Sequence, residues 1–221
     1  MTKVAIDGPA GAGKSTISKK IAKELGYVYI DTGAMYRTVG LKACREGIDT
    51  LDTKGVISLL DSLDIDIVAS SGEQKIMLDG EDVSSLIRTP EISMAASNVS
   101  KIPEVRQALL KIQRSLANDK DVVMDGRDVA TCILPDAEIK IFLTASVDAR
   151  AKRRYDELIA SGKEVNFDDV KNEMIQRDHN DSTREVSPLK IDKDATVIDT
   201  SDLSLEDSIN KITEHVRNNL K

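Results

Sequence analysis

The feature that most constrains the fold is a glycine-rich octapeptide near the start of the chain, Gly8–Ser15, which reads GPAGAGKS. It matches the pattern G-x-x-x-x-G-K-[ST] at every fixed position. The short apolar run Val4–Ile6 precedes it and predicts a buried parallel strand, while Ser15–Leu25 carries apolar residues at helical spacing. Gly26 is typical of the residue that follows a helix end. A strand, this loop and a helix in that order predict an α/β fold with a parallel sheet.

The octapeptide also predicts a phosphate-binding loop. Its glycines let consecutive backbone N–H groups turn inward around a phosphate, and the helix that follows adds its positive dipole end. Lys14 would bridge β- and γ-phosphate oxygens, and Ser15 would offer a hydroxyl ligand to Mg²⁺. The alternative is a structural glycine-rich turn with a solvated lysine. The candidate ATP-binding residues of the loop are Gly8, Pro9, Ala10, Gly11, Ala12, Gly13, Lys14, Ser15 and Thr16.

The hydrophobic pattern continues the alternation of strands and helices along most of the chain. Further strands are predicted at Tyr27–Ile30, Asp121–Met124, Glu138–Leu143 and Thr196–Ile198. Helices are predicted at Met35–Arg45, within Pro90–Asn118 with a break near Pro103, and at Val147–Ala160, Phe167–His179 and Leu205–Leu220. This pattern predicts a five-stranded parallel sheet with helices on its faces.

One region departs from that alternation and predicts a small antiparallel insert at about residues 64–89. Ile65–Ala69 and Gln74–Leu78 are short alternating or β-branched runs, separated by Ser70–Gly72 and followed by Asp79 and Gly80. Such a pattern is typical of a β-hairpin, and Val83 marks a possible third strand.

Composition limits the class of protein. A chain of 221 residues with 40% hydrophobic residues favours one globular domain with insertions over disorder or two independent domains. A net charge of −7 argues against general binding of nucleic acid or anionic lipid, because those partners attract positive charge. Cys44 and Cys132 form no CxxC motif and are interpreted as small hydrophobic residues in a reducing compartment.

The sequence also predicts a cytoplasmic location. The start, MTKVAIDGPA, lacks the long apolar stretch of a secretory signal. No segment approaches the roughly 18 apolar residues that a membrane span requires. We expect a monomer, since no exposed apolar stripe stands out in the sequence.

Four arginines separate this chain from other classes of phosphate-loop protein. The guanine-reading motif N-K-x-D is absent, whereas Arg37, Arg127, Arg177 and Arg184 follow predicted strands or flank the end of a late helix. Ligands of α/β sheets bind at that edge, and guanidinium groups offset the repulsion between two phosphates that must approach to about 3 Å. Exposed ion pairs are the alternative for any single arginine. The pattern therefore favours transfer of a phosphoryl group to an acceptor that itself carries phosphate.

The histidines agree with that interpretation. Only His179 and His215 occur, and both are expected on solvated helix faces. An acceptor hydroxyl normally requires a general base, whereas an acceptor phosphate with a second pKa of about 6 is already ionised at neutral pH.

Taken together, several segments resemble the bacterial cytidylate kinase family in its long form, which has an enlarged nucleoside-monophosphate-binding insert. The similarity covers nearly the whole chain, in the family's order. The segments are IDGPAGAGKST (Ile6–Thr16), DTGAMYR (Asp31–Arg37), LDGEDVSSLIRTPEI (Leu78–Ile92), AASNVSKIPEVR (Ala95–Arg106), DGRDVAT (Asp125–Thr131), KIFLTAS (Lys140–Ser146) and VNFDDVKNEMIQRDHNDSTREVSPL (Val165–Leu189).

The resemblance implies a P-loop kinase that uses MgATP and accepts CMP or dCMP, with a helical lid at residues 148–190. It implies that Thr32 and Arg37 hold the acceptor phosphate, while Ser97 and Arg106 face the cytosine ring. The remaining implied roles are phosphate binding by Arg127 and Arg184, base recognition by Asp128, and ribose binding by Arg177 and Asp181. The residues expected to act in catalysis are Lys14, Arg37, Arg127 and Arg184.

Alternatives remain open at several of these positions. Asp128 is either a base-reading carboxylate, which would accept from the cytosine amine, or a turn cap. Asp125 either holds the water shell of the metal together with Ser15 or only orients its loop. Arg150 and Arg154 share a helix face and either contact ATP or form a solvated surface. The family usually has glycine at position 130, where this chain has Ala130, and alanine resists positive φ.

Two rival functions also remain. A sister kinase would phosphorylate another small acceptor such as UMP, AMP or shikimate, and an ATP-dependent switch would use no small acceptor.

Overall fold

Strands and helices alternate along most of the chain, and the computed structural model describes residues 1–70 and 73–220. The predicted turn at Ser71 and Gly72 therefore lies outside the described residues. The strands are β1 (Lys3–Asp7), β2 (Val28–Asp31), β3 (Ile65–Ser70), β4 (Glu73–Leu78), β5 (Glu81–Asp82), β6 (Val122–Gly126), β7 (Ile139–Thr144) and β8 (Thr196–Asp199). The helices are α1 (Lys14–Leu25), α2 (Thr32–Arg45), α3 (Thr53–Ser58), α4 (Pro90–Val99), α5 (Pro103–Leu116), α6 (Val147–Ala160), α7 (Phe167–Thr183) and α8 (Leu205–Asn219).

The predicted five-stranded parallel sheet is confirmed. Its strand order is β2-β6-β1-β7-β8, and β1 lies at its centre between β6 and β7. The register places Val4 opposite Val123 on one side and Ile139 on the other. Because β1 is covered on both faces, the side chains of Val4, Ala5 and Ile6 are all buried.

Two hydrophobic cores lie on opposite faces of this sheet. On one face, Val4 and Ile6 pack with Ile21 of α1 and Ile212 of α8. On the other face, Ala5 packs in a larger core that includes residues of α2, α4 and α5 and the buried side of the antiparallel strands. Alternate residues of one strand thus point to different helical layers, as the two-residue repeat of a strand requires. Helices on both faces are confirmed.

The antiparallel sheet has the order β3-β4-β5 and falls within residues 64–89, where the insert is predicted. Ile67 lies opposite Ile76 in the β3–β4 pair, and both side chains are buried in the larger core. The third strand ends at Asp82, just before the predicted position Val83. The sheet is therefore anchored by one apolar face, which packs on the α2 side of the molecule.

Several element boundaries differ from the prediction, for local reasons. Helix α2 begins at Thr32 rather than Met35, because the Asp31 carboxylate accepts a hydrogen bond from the Ala34 N–H at 2.9 Å and caps the helix. Helix α7 extends past His179 to Thr183. Helix α3, which the sequence analysis missed, has only six residues and is capped by Asp52.

The topology brings the carboxyl ends of β1, β2 and β6 to one edge of the sheet, so Asp7, Asp31 and Gly126 end neighbouring strands. Within the part of the chain that the structure describes, no helix combines the length and apolarity that a membrane span needs. Cys44 and Cys132 are both free, the first exposed and the second half-buried.

Candidate active site

A cleft of about 680 Å³ opens at this edge of the sheet, a size that suits small-molecule ligands. Its wall is formed by the phosphate-binding loop, the start of α2, the end of β6, and parts of α4, α6, α7 and α8. Among the described residues, eight cationic and five acidic side chains line it. A cleft with excess positive charge in a chain of net charge −7 favours an anionic ligand.

The glycine-rich loop Gly8–Ser15 forms one end of this cleft. Residues 10–16 line the cleft, whereas Gly8 and Pro9 lie behind it. A Cβ added to Gly8 would lie 1.9 Å from the Leu143 carbonyl oxygen, so only glycine allows the loop to approach β7 this closely. Gly13 caps α1 with a φ of 87°, a backbone conformation that favours glycine.

Lys14 is buried at the centre of the loop. Its ammonium group donates a hydrogen bond to the Pro9 carbonyl oxygen at 2.7 Å. Burial, assisted by repulsion from Arg127, lowers the pKa of Lys14 to about 7. A nearby anion would therefore stabilise the charged form of Lys14 and raise its pKa.

Asp125 and Ser15 meet beside the loop, as the metal prediction requires. The Ser15 hydroxyl donates to one carboxylate oxygen of Asp125 at 2.9 Å, and the Tyr29 hydroxyl donates to the other at 2.8 Å. Burial, together with the neighbouring Asp31, raises the pKa of Asp125 to about 6. Asp125 is thus oriented by two hydroxyl groups and lines the cleft.

This pair fits a magnesium ion that is bound mainly through nucleotide phosphates. Across the described residues, no group of three or more His, Cys, Asp or Glu side chains is arranged to hold a metal. Mg²⁺ commonly uses one or two protein oxygens, several waters and substrate phosphates rather than a cage of protein ligands. A hydroxyl and a carboxylate next to a phosphate-binding loop supply such oxygens.

Arg37 is held at the other end of the cleft by Asp31. The two side chains form an ion pair at 2.7 Å, in which the buried carboxylate also caps α2. The Arg37 guanidinium holds the pKa of Asp31 below its ordinary value, against the opposing effect of burial. Thr32 lines the cleft nearby, and its hydroxyl donates to the Asp125 carbonyl oxygen at 2.8 Å. Arg37 therefore keeps a fixed orientation with its Nε free of partners.

Arg127 and Arg177 line the cleft beside α7. Arg127 pairs with Asp181 of α7 at 2.8 Å. Arg177 lines the cleft with its buried Nε unpartnered, and burial together with the neighbouring Arg127 lowers its pKa to about 10. Positive charge is thus concentrated between the end of β6 and helix α7, and only part of it is neutralised by carboxylates.

Asp128 forms ion pairs with two buried arginines, Arg106 and Arg184. One of its carboxylate oxygens pairs with Arg106 and the other with Arg184 at 3.3 Å. Arg106 lies over the ring of Tyr36 at 5.5 Å from the centroid and does not itself line the cleft, whereas Asp128 and Arg184 do. Ser97 lines the same region with a buried hydroxyl that has no partner.

The loop that carries Arg127 and Asp128 is fixed by Asp7, a residue that the sequence analysis did not single out. The two carboxylate oxygens of Asp7 accept from the Val129 N–H at 2.9 Å and the Ala130 N–H at 2.8 Å. Ala130 lies inside a π-helical turn, Val129–Ile133, and does not have positive φ. The loop therefore tolerates alanine at this position, contrary to the concern raised by the sequence.

Arg150 and Arg154 have different surroundings. Arg150 is buried outside the cleft wall, where it donates to the carbonyl oxygens of Ala10 and Ala145 and pairs with Asp178 of α7 at 2.7 Å. It thus braces the phosphate-binding loop against α7, and its predicted contact with ATP stays a prediction. Arg154 lines the cleft and pairs with Glu157 at 3.1 Å.

Comparison with known proteins decides the family. The family model described as cytidylate kinase matches residues 4–218. The chain belongs to the cytidylate kinase family. It is 54% identical over 211 residues to the cytidylate kinase of Caldicellulosiruptor saccharolyticus, which covers 96% of this chain and 93% of that protein. It is 52% identical to the cytidylate kinase of Caldanaerobacter subterraneus subsp. tengcongensis, with 99% of this chain and 96% of that protein covered.

A solved structure supports the fold alone. An uncharacterized protein from Eubacterium ventriosum ATCC 27560 superposes with a TM-score of 0.54 at 15% identity, covering 98% of this chain and 99% of that one. At this identity, the likeness extends to the arrangement of strands and helices and carries nothing about substrates.

In this member of the cytidylate kinase family, the cleft also contains residues that sequence reasoning missed. Arg88, at the end of the antiparallel insert, and Tyr36 line the cleft. Both lie inside the segments that carry the resemblance, so membership of those segments was the available signal. Tyr36 carries no charge and Arg88 follows the antiparallel insert rather than a strand of the predicted parallel sheet, so a search for charges at the ends of parallel strands passed over both. His179 is exposed on α7 and His215 is half-buried on α8, and neither lines the cleft.

Proposed function

We propose that this chain transfers the γ-phosphoryl group of MgATP to CMP or dCMP, giving ADP and CDP or dCDP. The observation that carries the proposal is that a single cleft joins a phosphate-binding loop to a second set of phosphate-binding donors, in a chain of the cytidylate kinase family. Three buried donor atoms of residues that line this cleft, on Arg37, Arg177 and Ser97, lack protein partners. Buried polar groups without partners are costly, so a ligand that pairs with them would be bound strongly.

The donor nucleotide would lie along residues 10–16. In this arrangement, the loop amides and Lys14 hold the β- and γ-phosphates, and the base extends toward the region between α6 and the start of α8. Arg153 and the half-exposed Leu205 line that end of the cleft. Ser15 and Asp125 would hold Mg²⁺ directly or through its waters, and the ion would offset the charge that develops on the transferred group.

The acceptor phosphate would lie among Arg37, Arg127 and Arg184. These cations reduce its repulsion from the donor and brace the equatorial oxygens of the transferred group. One oxygen of the acceptor phosphate attacks the γ-phosphorus in line. The bond between that phosphorus and the oxygen that bridges the β- and γ-phosphates breaks, and this oxygen leaves with ADP. The acceptor phosphate is already largely ionised at neutral pH, so no side chain has to remove a proton.

Asp128 would read the base. Its carboxylate accepts hydrogen bonds only, which suits the exocyclic amine of cytosine and opposes the corresponding carbonyl oxygen of uracil. Arg106 and Arg184 orient the carboxylate, and a carboxylate with about four acceptor positions still has room for the amine. Ser97 offers a free hydroxyl to the ring, and Asp181 and Arg177 lie on the ribose side.

Closure over both nucleotides would exclude water and so prevent hydrolysis of ATP. We assign this role to residues 148–190, whose helix α7 supplies Arg177 and Asp181 to the cleft wall, and we assign the acceptor side to the insert at residues 64–89. A cytoplasmic monomer that binds nucleotides but not nucleic acid fits the acidic net charge.

A coupled assay for ADP tests the proposal. The protein is given MgATP together with CMP, dCMP, UMP, AMP or shikimate in turn, and the Lys14→Ala variant is purified in parallel to detect contaminating kinases. We expect ADP formation to depend on an acceptor and to be fastest with CMP or dCMP. Equal ADP formation with and without acceptors would favour the ATP-dependent switch, and a higher kcat/KM with UMP, AMP or shikimate would favour a sister kinase.

A further inference from the structure

Among the described residues, Gln74 of β4 hydrogen-bonds through its side chain to the edge of the parallel sheet. Its amide oxygen accepts from the Asp31 N–H at 2.6 Å, and its amide nitrogen donates to the Asp31 carbonyl oxygen at 3.4 Å. Strand β2 lies at the edge of the five-stranded sheet, with β6 as its neighbour. The Gln74 amide thus takes the place that a further strand would occupy beside Asp31.

Asp31 connects this contact to the acceptor end of the cleft. One of its carboxylate oxygens caps α2 through the Ala34 N–H, and the other pairs with Arg37 at 2.7 Å. A shift of the Asp31 backbone therefore moves both the start of α2 and the Arg37 guanidinium. Misplacement of a charged group by about 1 Å is enough to weaken binding and turnover substantially.

The other polar contacts between the insert and α2 lie at the opposite end of that helix. Lys42 pairs with Asp79 at 3.0 Å and Arg45 pairs with Glu81 at 2.7 Å, where both carboxylates are at least half exposed. The Arg45–Glu81 pair is exposed and contributes little to position, because solvent screens it and the long side chains remain free to move. The Lys42–Asp79 pair has a buried lysine, but it holds the insert at the end of α2 that is distant from Asp31. The Gln74 contact is also partly buried, and it differs in that its partner, Asp31, lines the cleft.

The space around Gln74 also limits what can replace it. A small cavity of about 10 Å³ lies beside it, lined by Asp31, Arg88 and Tyr29 among others. That volume holds about one water molecule. A shorter side chain would leave room for more water against Asp31, so an informative substitution must keep the length of glutamine.

We infer that Gln74 is a positioning residue that couples the antiparallel insert to the acceptor-phosphate site, by fixing the backbone of Asp31 and, through it, Arg37. The inference rests on the proposed function, since it assigns the acceptor phosphate to Arg37. It predicts that loss of the Gln74 contact impairs binding of the acceptor and spares binding of ATP, whose phosphate loop lies on other elements.

Two variants of equal length test this inference. Gln74→Met removes both hydrogen bonds and keeps the volume. Gln74→Glu keeps an acceptor for the Asp31 N–H, loses the donor to its carbonyl oxygen, and adds a negative charge beside the Asp31 carboxylate. The matched control is Lys75→Met, because Lys75 is the next residue of β4 and is exposed.

The readout is steady-state kinetics with CMP varied at saturating ATP, and then ATP varied at saturating CMP. We expect the KM for CMP to rise about tenfold in Gln74→Met, as suits the loss of two hydrogen bonds, and further in Gln74→Glu. The KM for ATP should stay within about twofold in both variants, and Lys75→Met should match the wild type. Thermal unfolding of each variant is measured alongside.

Equal changes in both KM values, or no change in either, would overturn the inference. If Gln74→Met does not fold, Gln74→Glu carries the test, and if neither folds, Gln74 is a folding determinant and the inference is wrong. Wild-type protein that forms no CMP-dependent ADP would instead refute the proposed function. If the wild type is active with CMP but the Gln74 variants change the KM for CMP and the KM for ATP equally, only this inference would be refuted.

Discussion

In the proposed function, the donor end and the acceptor end of the cleft recognise phosphate in different ways. At the donor end, one continuous loop between β1 and α1 presents backbone groups and a single lysine. At the acceptor end, Arg37, Arg127 and Arg184 come from separate parts of the chain, and each is held by a carboxylate. The donor site is therefore local in sequence, whereas the acceptor site exists only when the elements that carry it are packed together.

This difference indicates how each end keeps its geometry. Backbone amides in a glycine-rich loop have fixed directions once the loop forms, so few additional contacts are needed. Arginine side chains have many rotamers, and ion pairs with Asp31, Asp181 and Asp128 select one of them. The acceptor end should therefore respond to changes in its carboxylates, and the donor end mainly to changes within the loop.

The largest effect is expected at the donor end, from Lys14→Ala. Loss of the cation that bridges the phosphates should lower kcat by about 10³-fold, since charge stabilisation in the transition state is commonly worth that much. Circular dichroism should show an intact fold. Lys20→Ala, an exposed position on the same helix, is the control. Retained turnover in Lys14→Ala would remove Lys14 from the mechanism and break the proposed contrast between the two ends.

At the acceptor end, Asp128→Asn should narrow the preference for CMP over UMP, measured as the ratio of kcat/KM values, by about tenfold or more. It should also lower the free energy of unfolding by about 3 kcal/mol, because Arg106 and Arg184 lose their buried counter-charge. Asp136→Asn, an exposed position shortly after the same turn, should change neither quantity. An unchanged ratio would show that Asp128 does not read the base.

A smaller effect is expected from Asp178→Asn. Asp178 lies on α7, outside the phosphate-binding loop, so this variant tests whether the donor end depends on contacts from another element. Removing its charge weakens the hold on Arg150, whose guanidinium also binds the Ala10 carbonyl oxygen of the loop. The KM for ATP should rise about three- to tenfold, with a loss of about 1 kcal/mol in unfolding free energy. Asp156→Asn removes an exposed ion pair on α6 and serves as the control. An unaltered KM for ATP would mean that the loop needs no support from α7.

The smallest expected effect is the uptake of a proton when ATP binds. Lys14 has a pKa lowered to about 7 in the ligand-free protein, so at pH 8 most molecules carry it neutral. Bound triphosphate raises that pKa, and ATP binding at pH 8 should take up nearly one proton. Calorimetric titration in buffers of different ionisation enthalpy measures this uptake, which should shrink as the pH falls through 7. Lys14→Met should abolish it, and persistent uptake in that variant would assign the proton to another group.

The fold followed from the sequence to a large extent. The strand, loop and helix at the start of the chain, the five parallel strands and the antiparallel insert were all predicted from short-range patterns of apolar residues. The errors in the predicted secondary structure lie at the ends of elements. An example is the start of α2, where the Asp31 cap adds residues that the apolar pattern does not include. The six-residue α3 is too short for such a pattern to develop.

The candidate site was predictable residue by residue only where a motif or the family resemblance named it. The sequence placed Lys14, Ser15, Arg37, Arg127 and Asp128 near one another because parallel strands share a carboxyl edge. It gave no means to see that Arg150 holds the Ala10 carbonyl oxygen of the phosphate-binding loop, or that Asp7 holds the loop that carries Asp128. Those relations join residues more than a hundred positions apart.

What the sequence by itself determined is thus the local structure: a loop whose glycines allow one backbone path, and the apolar periods that form strands and helices. Only the tertiary structure decided which carboxylate holds which arginine, and which polar groups, such as Arg177 Nε and Ser97 Oγ, stay buried without a partner. The physical reason is the separation along the chain of the residues that interact. Backbone conformation depends on a few neighbouring residues, whereas pairing and burial of charge depend on side chains that meet only after the chain has packed.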